Sequence, residues 1–132
     1  MRDLHSLITP VESIAPAAHT ASANGTSVDR GQNSNAYESV AVVAYAGTIT
    51  DGDHAITVEH SDDDSTWTEV AAADLQGTLP TFSTSEAGEH TIGYFGRKRY
   101  VRAVTTVTGA TSGGVYGVLV VLGHAREIAQ GS

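Results

Sequence analysis

The sequence predicts an all-β protein: an antiparallel β-sandwich, jelly-roll or immunoglobulin-like, with an extended N-terminal arm. Three observations predict it. Short runs rich in Val, Thr, Ile and Tyr recur along the chain, separated by Gly, Asp, Asn and Ser. Turn signals return every ~8–12 residues, the spacing expected of a sandwich. No long helical periodicity accompanies them.

The 132 residues suffice for one domain. The arm is expected over residues 1–25, the sandwich over 26–123 and a frayed tail over 124–132. In the arm, Leu4, Leu7, Ile8, Val11 and Ile14 form a dense apolar set. Pro10 argues against a continuous helix, because it removes a backbone donor and biases Thr9 toward extended geometry. The preferred reading is an arm over residues 1–23 that becomes ordered against a neighbouring subunit or another surface it fastens to; a disordered tail is the alternative.

Residues 26–29 form a short candidate strand, and 30–36 read as a loop. Residues 37–47 are a strong strand, apolar on both faces, hence central or covered on both sides. Asp51-Gly52 marks a hairpin turn. Residues 54–60 alternate, with Ile56 and Val58 on one face. The next turn holds Asp62, Asp63 and Asp64, and residues 66–70 continue as a strand carrying Trp67. Residues 71–76 suggest one helical turn or a bulged crossing. Pro80 demotes residues 78–83 to an edge strand. Strands are expected over 90–95, 97–107 and 115–123, the last apolar on both faces. The expected core is Val42, Ile56, Val58, Trp67, Val101, Val107, Leu119 and Val121.

Composition excludes several kinds of chemistry. There are no cysteines, so no disulfide, thiolate metal site or cysteine nucleophile exists. A net charge of −8 argues against nucleic-acid binding by phosphate neutralisation. No apolar run approaches the ~18 residues of a membrane span, and the first residues do not resemble a secretory signal.

Eight of the 15 acidic residues lie between Asp51 and Asp74. Their spacing lacks the alternation of an EF-hand loop, so solvated turns are preferred to a calcium site. His54 and His60 share a strand face but lie roughly 20 Å apart at ~3.3 Å per residue, too far for one metal. No GxSxG elbow, P-loop or dinucleotide fingerprint is present. No enzyme activity, metal or cofactor is expected.

Four of the seven cations, Arg97, Lys98, Arg99 and Arg102, are clustered. They read either as a solvated turn or as a contact with an acidic neighbour, such as the 51–64 region of another copy. Trp67 after an Asp-rich turn suits a sugar-stacking platform; a core anchor is the preferred reading.

The segments Met1-Arg2-Asp3-Leu4-His5-Ser6-Leu7, Gly47-Thr48-Ile49-Thr50-Asp51-Gly52 and Ser61-Asp62-Asp63-Asp64-Ser65-Thr66-Trp67-Thr68 occur in that order. Ala72-Ala73-Asp74-Leu75-Gln76-Gly77, Lys98-Arg99-Tyr100-Val101-Arg102 and Gly113-Gly114-Val115-Tyr116-Gly117 follow. In this order the chain resembles the head decoration, or capsid cement, proteins of tailed bacteriophages across nearly its whole length. In the Asp-rich turn, Asp63 stands where Gly is common. The resemblance implies a virion protein, made in the host cytoplasm, that stabilises an icosahedral shell from outside. It brings no catalytic residues. The implied partners are the major capsid protein and other copies of the chain, a trimer being one arrangement. Candidate contacts with a neighbouring subunit or the capsid surface are Leu4, Leu7, Ile8, Val11, Ile14, Arg97, Arg99 and Arg102. Two alternatives stand beside it: a carbohydrate-binding or host-adhesion module, and a tail-tube or head–tail connector subunit.

Overall fold

The computed structural model describes residues 8–31 and 37–125. Expectations for Leu4, Leu7, the 32–36 part of the loop and the tail from residue 126 lie outside the described residues. Two antiparallel sheets pack face to face, so the chain is an all-β sandwich. The first sheet contains β1 (Ile8–His19), β11 (Gly114–Ala125), β4 (Tyr37–Ile49), β9 (Gly88–Tyr94) and β7 (Leu75–Gln76), in that spatial order. The second is built on β10 (Tyr100–Thr108) and β5 (Asp53–Ser61). Short strands flank this pair. β2 (Ala23–Asn24) and β3 (Val28–Asp29) lie along β10, while β6 (Thr68–Glu69) and β8 (Thr81–Phe82) lie along β5. A single 3₁₀ turn, Ala72–Asp74, precedes β7.

Side-chain alternation explains the core. Along β5, His54, Ile56, Val58 and His60 point inward, and the residues between them outward. β10 turns Val101, Ala103 and Thr105 inward. β11 turns in Tyr116, Val118, Val120 and Leu122, all buried. Four expected core residues are therefore corrected. Leu119 and Val121 occupy the outward parity of β11 and are half-buried. Because that strand is apolar on both faces, its hydrophobicity alone could not select the inward face. Val107 lies near the end of β10 and is half-buried. Trp67 sits just before β6 on the surface, also half-buried. Phe82, placed by the sequence on a weak edge strand, is instead fully buried against Tyr116, ring centroids 5.7 Å apart.

The N-terminal boundary near residue 25 is also corrected. β1 pairs along β11 from Ile8 opposite Gly123 to His19 opposite Gly114. Ile14 is buried, and Val11 packs against the core. Pro10 and Pro16 are tolerated because β1 is the outer strand of its sheet, where one row of backbone donors has no partner strand. Register shifts around Ile14 accompany the inward turn of Ser13. Ser13 Oγ donates to the Thr26 carbonyl at 2.9 Å and accepts from the Ala103 N–H at 3.0 Å. Ser13 thus fastens the first sheet to the second where the chain crosses between them. Gly25 lies beneath it. A β-carbon there would stand 2.6 Å from the Ala103 carbonyl and 2.7 Å from that of Ser13, too close for any side chain.

Residues 8–19 are thus part of the domain. Ile14→Ala is expected to destabilise the protein by ~2–5 kcal/mol, the range for a buried large-to-small change. Deleting residues 2–20 should abolish cooperative urea unfolding rather than leave a folded sandwich.

Candidate functional site

Two polar connections cross the core, one from each end of β5. His54 Nδ1 lies 3.0 Å from Tyr116 Oη, and Thr105 Oγ1 lies 2.7 Å from the same oxygen. His54 Nε2 lies 3.0 Å from the Asp51 carbonyl. A carbonyl only accepts, so Nε2 carries the proton and Nδ1 accepts from the tyrosine. At the other end, His60 Nδ1 meets Tyr94 Oη at 2.7 Å. Burial pushes the Tyr116 and Tyr94 hydroxyls up, against opposing hydrogen bonds from Thr105 and the Lys98 backbone respectively. Burial pushes His60 down from its usual 6.5. Both histidines are partnered core residues, and their parity with Ile56 and Val58 was the sequence signal for it.

The acidic turns bind their own backbone. Asp51 Oδ1 accepts from the N–H groups of Thr111, Ser112 and Gly113 at 3.1, 3.1 and 2.7 Å. This ties the β4–β5 turn to the β10–β11 turn. Asp63 Oδ1 accepts from Ser65 and Thr66 N–H at 2.9 and 2.8 Å, and from the Ser61 hydroxyl at 2.9 Å. These bonds hold both carboxyls below their usual 3.8. The left-handed residue of the Asp-rich turn is Asp64, at φ 60°, a conformation that Asp tolerates. Among the described residues, no three His, Asp or Glu side chains converge on a metal-sized site.

Three members of the basic cluster find acidic partners within the chain. Lys98 Nζ meets Asp62 at 2.8 Å. Arg99 grips Asp29 through two bonds of 2.8 and 2.9 Å, and this guanidinium is the main cause of the lowered Asp29 carboxyl. Arg102 meets Glu59 at 2.7 Å, and the two residues are register partners on β10 and β5. Arg97 is exposed. The Arg102 guanidinium also lies 4.2 Å from the centroid of Trp67. It covers one face of that ring.

The outer face of the first sheet is a surface without an internal role among the described residues. The register aligns Ile8 on β1, Leu119 and Val121 on β11, and Ala41, Val43 and Tyr45 on β4. These residues are half-exposed, and no described element lies over them. Among the described residues, charge reaches this face at its flanks, through Glu12 on β1 and Glu89 on β9. The opposite face of the sandwich carries the Glu59–Arg102 pair. Of the residues expected to make contacts, Ile8 belongs to the apolar face. Val11 and Ile14 point into the core, a correction imposed by pairing with Val120 and Val118. The signal, apolarity on both sides of two neighbouring strands, reads equally well as burial on both faces.

No protein-family model, curated protein or solved structure matches the chain.

The Asp51 staple yields a signed pH dependence. Its folded carboxyl is depressed, so on acidification the unfolded chain takes up that proton first. The stabilisation is complete above the ordinary value of 3.8 and is lost as pH falls through the lower folded value. Asp51→Ala is expected to lower the urea midpoint at neutral pH and to narrow the gap between neutral pH and about pH 2.

Proposed function

We propose that this protein is a structural interaction module that decorates the outside of an icosahedral phage capsid, docking through the outer face of its first sheet. The observation that carries the reading is an apolar face, free of charge at its centre among the described residues, on a chain of net charge −8. Desolvating such a face is favourable and requires no buried ion to be stripped of water. Its small and β-branched side chains lose little rotamer freedom on docking. Three long strands, spaced ~4.8 Å apart and counted at ~9 residues of ~3.3 Å each, give a projected face of roughly 400–450 Å². That is below the ~800 Å² per partner of a standard interface. Firm attachment therefore calls for added contacts, between copies of the chain or with a second patch of the shell.

The resemblance of its ordered segments to cement proteins supports the major capsid protein as the partner, on the virion exterior. In this reading the chain performs no catalysis and requires no cofactor. The self-contained ion pairs of the basic cluster make it a poor phosphate-binding surface.

Purified chain added to undecorated phage shells should bind in hundreds of copies per particle, counted by electron cryo-microscopy. The double variant Val43→Glu, Leu119→Glu should fold yet lose at least about tenfold in shell affinity, since each charge would be buried without a partner. Unchanged binding by a folded double variant would refute docking by this face. A copy number of a dozen or fewer would favour a connector subunit. Specific glycan binding abolished by Trp67→Ala would favour an adhesion module.

A further inference from the structure

We propose that the His60 end of the sandwich is an acid-released latch, in which protonation of His60 frees the residue 95–99 loop from Tyr94. The geometry is specific to this end. The His60 and Tyr94 rings meet edge-on, 5.7 Å between centroids, with Nδ1 2.7 Å from the hydroxyl. The loop wraps tightly around that hydroxyl. A β-carbon at Gly96 would collide with Tyr94 Oη and Cζ, so only glycine fits. Arg30 fastens the loop from outside, donating through Nη1 to the Gly96 carbonyl at 2.9 Å and the Lys98 carbonyl at 3.2 Å. Its guanidinium also lies 5.7 Å from the Tyr94 ring centroid.

His60 Nδ1 and Tyr94 Oη share one hydrogen bond of 2.7 Å, and in the closed latch the neutral ring accepts it from the tyrosine hydroxyl. An imidazolium reverses that bond. Nδ1–H then donates, and the tyrosine proton loses its acceptor inside the closed loop. The charged groups around the pair are Lys98, Asp62, Asp74 and Arg30. Lys98 opposes a positive His60, whereas Asp74 and Asp62 favour it. Lys98 and Asp62 are themselves paired at 2.8 Å, which blunts both influences. Burial is the largest influence and favours the neutral ring, so the closed loop and the uncharged histidine support one another. His60 is 9% exposed, so the proton enters from solvent at this end of the core.

The sign follows from the depressed folded value. The latch is fully closed above the ordinary histidine value of 6.5 and opens as pH falls through the lower folded value. Opening uncovers Tyr94 beside Phe95, which is already 59% exposed, at the end of the sheet where β7 is only two residues long.

Amide hydrogen exchange of the full chain between about pH 7.5 and about pH 5 tests this, after correction for intrinsic exchange rates. Protection at residues 94–100 should fall by up to about tenfold per pH unit once the latch titrates, while β4 and β11 keep theirs. His60→Asn leaves an acceptor near the position of Nδ1 but does not titrate, and its protection should be independent of pH over this range. Acid opening that persists in folded His60→Asn would overturn the proposal. If that variant does not fold, the imidazole NMR titration of the unaltered protein decides. A His60 transition coincident with loss of protection supports the latch. A His60 transition with no change at residues 94–100, or loss of protection without one, overturns it.

Discussion

The fold depends on the buried junction of Tyr116, His54 and Thr105. Tyr116 belongs to the first sheet, and His54 and Thr105 to the second. All three are essentially inaccessible to water. Apolar side chains would hold two sheets together in several alignments, because dispersion and desolvation have little directionality. A hydroxyl shared between an imidazole nitrogen and a threonine oxygen tolerates few. Sliding β11 by one residue would replace Tyr116 with Gly117 or Val115 and leave two polar groups buried without partners. The junction also reaches the surface. His54 holds the Asp51 carbonyl, and the Asp51 carboxylate gathers the amides of the turn that leads into β11. One chain of hydrogen bonds therefore aligns the sheets and closes the loop between them.

A second constraint, on the strand beside β11, explains why the first residues are not an appendage. β11 is long and apolar and would be an exposed edge without β1 beside it. β1 covers that edge and presents an outer row interrupted by Pro10 and Pro16, which cannot donate to another strand. The crossing to β2 is fastened by Ser13 and made possible by the absence of a side chain at Gly25. The same prolines that argue against a helix in this segment also make it a suitable edge strand. Its dense apolar set, lying before the strand-rich region and barred from a helix by Pro10, made it read as an arm. What sequence alone lacks is the knowledge that β11 needs a partner.

Legibility followed the strength of local alternation. β5 was readable because polar and apolar residues alternate, and its Asp-Gly turn is a local signal. β4 and β11 were readable as central strands, but not as to which face turns inward, since both faces are apolar. That ambiguity led to Leu119 and Val121 being expected inside, and it concealed the candidate docking face, which is the same set of residues viewed from outside. The basic cluster was visible as a cluster. Its partners were not, because Glu59 meets Arg102 only through the register of β5 with β10, and Asp29 meets Arg99 from β3. Such pairings depend on tertiary topology, which local spacing does not encode. Trp67 was misjudged by residue type: burial follows position in the sheet, and the residue before β6 faces outward under Arg102.

The distribution of charge links the fold to the proposed role. The excess is negative, yet Lys98, Arg99 and Arg102 each already hold a carboxylate. The acidic turns at Asp51 and Asp62–Asp64 lie at opposite ends of β5, away from the middle of the outer sheet face. Two free copies approaching face to face bring like net charges together, and that repulsion extends over a Debye length of ~8 Å at physiological salt. It opposes indiscriminate stacking of the apolar faces in solution, the hazard that an uncovered sheet otherwise carries. The repulsion weakens when the partner surface is neutral or basic, and the apolar contact then dominates. A charge-free centre with acidic ends therefore discriminates between the chain's own copies and a different protein surface, through long-range repulsion rather than any specific side-chain contact.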